Sequence, residues 1–206
     1  MSDLIFYTNP MSRGQIVRWA LHEVGAEYQQ VLVDYGSNMK GDDYRAINPM
    51  GKVPAIKHDG HVVTECAAIC AYLADAFPGA ELAPELDRRS DYYRWLFFAA
   101  GPLESAVINN SLGFHVDDSQ QKMAGYGNYQ LVVDVLDQML GERYYVCGDH
   151  FSMADVYVGS QVDWGVQFKT LPDTDNFNAY AERLRARSAY QKAKQIDADL
   201  IAKTAG

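Results

Sequence analysis

A proline stands where a strand of a sheet should begin. In Asn48-Pro49-Met50-Gly51-Lys52-Val53-Pro54-Ala55-Ile56 an apolar run suited to a strand opens on Pro54. Proline removes a ladder donor, so it is tolerated at the first residue of a strand and excluded further in. Such a proline, often cis, bends the chain so that the N–H and C=O of Val53 turn outward, free to pair with something peptide-like. The sequence then reads as a strand over 53–57, an Asp59-Gly60 pair that favours a tight hairpin turn, a second strand over 61–64, and Glu65-Cys66 at the head of a helix reaching Phe77. The segment presents a backbone edge that faces a ligand.

Upstream of it, residues 4–7 read as a short buried strand broken by Asn9-Pro10. Ile16, Val17, Ala20, Leu21 and Val24 recur at helical spacing, and Gly25 stands as a C-terminal stop. Residues 28–33 supply a second strand, which completes a βαβ unit with a right-handed parallel crossover. Residues 35–48 hold two glycines, two asparagines and little periodicity, so a loop with one helical turn is expected. The order is βαβ followed by ββα.

Pro78-Gly79 and Pro84-Glu85-Leu86-Asp87 mark a boundary, after which no strand pattern recurs. Residues 92–107, 123–140 and 177–186 carry helical apolar spacing, so the second half is expected to be all-helical, with domains over 1–79 and 87–206. Tyr92, Tyr93, Trp95, Phe97 and Phe98 must face several directions, some into a core and some toward an apolar pocket. Phe151-Ser152-Met153-Ala154-Asp155-Val156 has the form of a capping box with a hydrophobic staple, a folding device at a helix start.

Composition excludes several classes. The 206 residues carry a formal net charge of -9, which argues against nucleic acid or an anionic membrane surface, since either needs a basic patch. No apolar run is long enough for a membrane helix. The N-terminus enters an apolar stretch without a basic leader, so a cytoplasmic location is expected. Cys66, Cys70 and Cys147 match neither a disulfide framework nor a Cys-x2-Cys redox or zinc site; no metal is expected, and Cys70 and Cys147 read as buried thiols.

Taken in this order, the Val53-Pro54 pair, Glu65-Cys66 at the next helix start, the helical second half and the Ser152/Asp155 box resemble the cytosolic glutathione transferases, of bacterial type. The resemblance covers nearly the whole chain. It implies an N-terminal thioredoxin-like α/β domain followed by an all-α domain, and a homodimer. Val53 would pair through its backbone with the cysteinyl part of glutathione, beside Pro54. Glu65 and Cys66 would hold the γ-glutamyl group, and Lys52 the glycyl carboxylate. Where the family commonly has serine after the acidic or amide residue, this chain has Cys66; a thiol is a weak donor, so the backbone N–H carries most of that contact.

The glutathione thiol must become a thiolate to attack, and a hydrogen-bond donor aimed at sulfur lowers its pKa. The family places this donor at or just after the end of the first strand, as tyrosine, serine or cysteine. Here Ser12 and Tyr7 qualify. Ser12 lies directly before the first helix, where the helix N-terminus also favours an anion, and is preferred; Tyr7 is the alternative, and Arg13 would add positive potential near the sulfur. The expected activity is conjugation of glutathione, as co-substrate, to small and largely apolar electrophiles. A glutathione-dependent peroxidase or thiol reductase is the rival enzyme, and a non-catalytic glutathione-binding carrier or interaction module the rival outside catalysis.

Overall fold

Strand β1 (Leu4–Thr8) alternates buried and half-buried positions, which puts Leu4, Phe6 and Thr8 on one face and Ile5 and Tyr7 on the other. The computed structural model describes residues 3–36 and 38–204. Helix α1 (Gly14–Glu23) buries Ile16, Val17, Ala20 and Leu21, and the chain leaves it through Gly25 at φ 65°, the left-handed conformation that ends many helices. Strand β2 (Gln29–Leu32) pairs in parallel with β1. The stretch expected as a loop holds a 3-10 turn at Asn38–Lys40 and the short helix α2 (Asp42–Arg45).

Strand β3 (Ala55–His58) runs antiparallel to β1, and β4 (His61–Thr64) antiparallel to β3. The sheet order is β2-β1-β3-β4. Pairing of β3 starts at Ala55, two residues after the expected Val53, because Pro54 has no N–H to contribute. Asp59 and Gly60 take φ 46° and 86°, the pair of positive values that matches a two-residue hairpin to the twist of its strands. Helix α3 (Cys66–Ala76) buries Ile69, Cys70 and Leu73. This is a thioredoxin-like sheet with its helices, as expected.

The second half is helical. Helices α4 (Ser90–Phe98) and α5 (Glu104–Ser111) are joined by a π turn at Ala99–Leu103 that contains Pro102. Proline cannot donate to the ladder, and the wider turn absorbs the missing bond. The aromatic run divides: Tyr92 and Trp95 are buried, while Tyr93 and Phe97 are exposed. Helix α6 (Tyr129–Glu142) begins later than the expected 123, where the Asn128 side chain accepts from Leu131 N–H at 2.9 Å. Helices α7 (Met153–Gln167) and α8 (Asp175–Arg185) follow. At the head of α7, Asp155 Oδ2 accepts from the Ser152 N–H at 2.9 Å and from its hydroxyl at 3.1 Å. Among the described residues no helix is long and apolar enough to cross a membrane.

The last helix, α9 (Ser188–Thr204), departs from the expected division at 79 and 87. The chain forms two compact units: residues up to 82 together with those from 186 onward, and residues 83–185. Helix α9 therefore packs in the first unit, against α1. Arg187 Nε and Nη2 reach Glu23 at 2.6 and 2.8 Å, Trp19 meets Tyr190 edge-on at 5.1 Å, and Arg18 pairs with Asp197 at 2.9 Å. Such contacts join residues far apart in sequence, and helical periodicity carries no sign of them.

Candidate functional site in the first unit

Three segments of the first unit build the site: the loop before α1, the turn before β3, and the head of α3. The first is held tightly. Asn9 Nδ2 donates to the Val33 carbonyl at 3.0 Å, its Oδ1 accepts from Met11 N–H at 3.0 Å, and Gln15 Nε2 donates to Pro10 O at 2.6 Å. Lys194 from α9 donates to Gln15 Oε1 at 2.8 Å, so the last helix braces this loop. Ser12 is buried within it. Its hydroxyl donates to Asn9 O at 2.6 Å and accepts from the Gly14 N–H at 2.9 Å, which satisfies one of the orphan donors at the start of α1. The Arg13 side chain is exposed.

The second segment is a turn in which the carbonyls of Met50, Gly51 and Lys52 are each claimed. Gly51 sits at φ 55°. Lys40 Nζ donates to Met50 O at 3.2 Å and Gly51 O at 2.5 Å, and Lys52 O accepts from Tyr44 Oη and Asn48 Nδ2, both at 2.8 Å. Burial, and secondarily Tyr7, push the Tyr44 phenol up to about 12, so it remains a neutral donor throughout the physiological range. The Val53-Pro54 bond that follows is cis. Val53 is half-buried, and among the described residues no N–H or C=O pairs with its backbone. Lys52 projects an exposed side chain.

Lys40, Tyr44 and Asn48 were not among the sequence candidates. Asn48 was within reach, since Asn-Pro is a turn-initiating pair; Tyr44 and Lys40 act across the loop and leave no local signal.

The third segment carries a backbone exception. Glu65, at the N-cap of α3, has φ 65° and ψ 120°. A non-glycine residue there costs on the order of 1–3 kcal/mol, and such exceptions concentrate where function demands them. The Glu65 side chain is exposed while its carbonyl accepts the first helical bond from Ile69 at 2.8 Å. Cys66 is buried, with Sγ 3.6 Å from the Arg13 carbonyl. The heads of α1 and α3 thus meet. Cys70, one turn on, is fully buried, and desolvation raises its thiol well above the usual range, so it is inert.

Ser12, Arg13, Glu65 and Cys66 are thereby gathered at two helix starts. Tyr7 is not brought to them. It lies on the opposite face of β1 from Phe6 and Thr8, packs on Tyr44 with ring centroids 5.8 Å apart, and lines a cavity of about 670 Å3 with Asp42, Asp43 and Val33. The residue of β1 turned toward the start of α1 is Thr8: a Cβ built on Gly14 would overlap its hydroxyl.

Comparison with known proteins places this geometry. The profile of the glutathione S-transferase N-terminal domain matches residues 2–75, a span that includes every candidate site residue. The chain is 29% identical over 180 residues to glutathione S-transferase GstA of Escherichia coli O157:H7, covering 84% of this chain and 88% of that one. Residues 2–75 match the glutathione S-transferase N-terminal domain, and the chain over most of its length is similar to glutathione S-transferases. Further relatives include the maleylacetoacetate isomerase of Rattus norvegicus, 27% identical over 192 residues and 88% of each chain. A solved sphingomonad glutathione S-transferase complexed with glutathione superposes with a TM-score of 0.74 at 27% identity, covering 94% of this chain and 98% of that one.

Proposed function

We propose that this chain binds glutathione along the open backbone of Val53 and at the head of α3, and that Ser12 holds the thiol as thiolate for attack on a small, largely apolar electrophile. One observation carries the reading: the starts of α1 and α3 converge, with Cys66 Sγ 3.6 Å from the Arg13 carbonyl, beside a turn that leaves the Val53 N–H and C=O unclaimed. A peptide ligand pairs with such a backbone as a strand would. Its γ-glutamyl carboxylate meets the N–H groups and positive end of α3, while Glu65 pairs with its ammonium group. Lys52 takes the glycyl carboxylate as a flexible cation.

The chemistry asks little of the protein beyond charge and position. Ser12 donates its hydroxyl hydrogen to sulfur, which favours the thiolate. Arg13 and the N-terminus of α1 add positive potential. The thiolate then adds to an electrophilic carbon or displaces a leaving group, with much of the acceleration arising from holding the two reactants together. Addition followed by release would isomerise a substrate instead of conjugating it. The relative named an isomerase makes that the second reaction to assay. A homodimer and a cytoplasmic location accompany this reading.

The test is retention on immobilised glutathione, then conjugation to a generic aryl halide, for the wild type, Ser12→Ala and Tyr7→Phe. Retention of all three with conjugation lost only in Ser12→Ala is the expected result. Failure of the wild type to bind glutathione would sink the reading. Binding without turnover of any electrophile moves the protein to a carrier, and activity that survives Ser12→Ala but not Tyr7→Phe hands the role to Tyr7.

A further inference from the structure

The Thr8 side chain is fully buried, and its hydroxyl has no hydrogen-bond partner among the described residues. A buried hydroxyl left unpaired is unfavourable, and native structures rarely keep one without a use. Thr8 ends β1 on the face turned to α1. Its hydroxyl and that of Ser12 flank a single point: a Cβ on Gly14 would overlap the first and press on the second at 3.0 Å. Only a glycine at position 14 leaves both hydroxyls where they stand.

The Ser12 hydroxyl is built to be redirected. Its proton rests on the Asn9 carbonyl at 2.6 Å, and that same carbonyl also accepts the Ser12 N–H at 3.1 Å. When the hydroxyl turns away, Asn9 O therefore keeps a partner. Ser12 Oγ still accepts from the Gly14 N–H, and one lone pair is left without a donor, since a hydroxyl oxygen accepts two hydrogen bonds and donates one.

We infer that Thr8 is a positioning residue for thiol activation: its hydroxyl donates to Ser12 Oγ when Ser12 turns its own proton to the glutathione sulfur. The inference rests on the serine reading above. With Gly14 N–H and Thr8 O–H both donating to it, Ser12 Oγ is polarised and becomes a stronger donor to the thiolate, as hydrogen bonds in a chain reinforce one another. Thr8 itself is too deeply buried to touch sulfur.

The experiment titrates bound glutathione by ultraviolet thiolate absorbance in wild type, Thr8→Val, Thr8→Ser, Ser12→Ala and the Thr8→Val/Ser12→Ala double variant, beside melting temperature and the KM for glutathione. Thr8→Val is expected to raise the thiol pKa by roughly half a unit, the scale of one modest hydrogen bond. The KM should stay unchanged and the melting temperature should hold or rise, because an unpaired buried hydroxyl has gone. Thr8→Ser should restore the thiol pKa, and Thr8→Val should add nothing in the Ser12→Ala background. A purely structural role would move the melting temperature and leave the thiol pKa alone.

If Ser12→Ala raises the thiol pKa while Thr8→Val does not, the Thr8 inference falls and the serine reading stands. A thiol pKa indifferent to Ser12→Ala overturns both. A Thr8→Val shift that persists undiminished without Ser12 also overturns the inference, since Thr8 would then act without it. Should Thr8→Val not fold, Thr8→Ala removes the same hydroxyl and reads the same shift.

Discussion

Arg18 on α1 and Asp197 on α9 form an ion pair at 2.9 Å, with side chains 1% and 2% exposed. The guanidinium also lies over the Phe6 ring, 5.3 Å from its centroid, and donates to Tyr28 Oη at 3.0 Å. Burial raises the Asp197 carboxyl and Arg18 pulls it back down, so neither charge is comfortable without the other. Arg18→Met should destabilise the protein by about 3–5 kcal/mol, because it leaves a buried carboxylate unpaired. Arg18→Met/Asp197→Leu should recover most of that loss. Denaturant unfolding of the two variants measures it; equal destabilisation in both would mean that the pair itself, and not the stranded charge, carries the effect.

Asp155 gives a pH dependence with a definite sign. Its carboxylate accepts from the Val146 N–H, the Tyr180 hydroxyl and both donors of Ser152, yet burial outweighs these bonds and raises it from 3.8 to about 6. A folded-state pKa above the unfolded one means that the native state holds the proton more tightly. Its contribution is full below pH 3.8 and lost as pH rises through about 6. The stability of the wild type relative to Asp155→Asn should therefore be greater at pH 4 than at pH 7, by about 2–3 kcal/mol. Unfolding curves at the two pH values decide it, and a difference of opposite sign would show that the hydrogen bonds win.

At Glu65 stability and binding should move in opposite directions. Glu65→Gly relieves a φ of 65° and should raise the melting temperature, by the equivalent of about 1 kcal/mol. It also removes the carboxylate proposed to meet the ammonium group of glutathione. Glu65→Gln keeps the backbone as it is and should weaken glutathione binding roughly tenfold. Calorimetric binding and thermal melts of both variants separate the two roles; full affinity in Glu65→Gly would remove Glu65 from the ligand site.

The turn before Pro54 should show a graded response. Asn48 is buried, donates to Lys52 O at 2.8 Å and accepts from the Met50 N–H at 3.1 Å. Asn48→Ala should cost about 1–3 kcal/mol and raise the KM for glutathione more than it lowers kcat. In Tyr44→Phe the Lys52 carbonyl keeps its Asn48 donor, so the effect on both should be smaller. Steady-state kinetics with varied glutathione would show it, and a larger KM change in Tyr44→Phe would contradict the ranking.

Much of this protein was legible because its signals are local. The Asp59-Gly60 turn, the Gly25 stop, the apolar spacing of α1 and α3 and the acid at the head of α7 each depend on neighbours within a turn or a strand. The strand proline pointed to the turn that presents Val53 for the same reason. Alternation along β1 also required Tyr7 and Thr8 to face opposite ways. It could not say which face would receive α1; in the fold that face carries Thr8, and Tyr7 lies on the other.

What sequence alone determined is most of the elements, their order and the residue types proposed to carry the chemistry, since these follow from propensity, periodicity and turn geometry over a few residues. Tertiary structure decided the rest. It returned α9 to α1 through Arg18 and Asp197, drew the heads of α1 and α3 together at Arg13 and Cys66, imposed the left-handed backbone on Glu65, and pinned the turn before Pro54 from Lys40, Tyr44 and Asn48. Those outcomes depend on which buried surfaces and unpaired polar groups find one another across long stretches of chain, and no local pattern encodes that pairing.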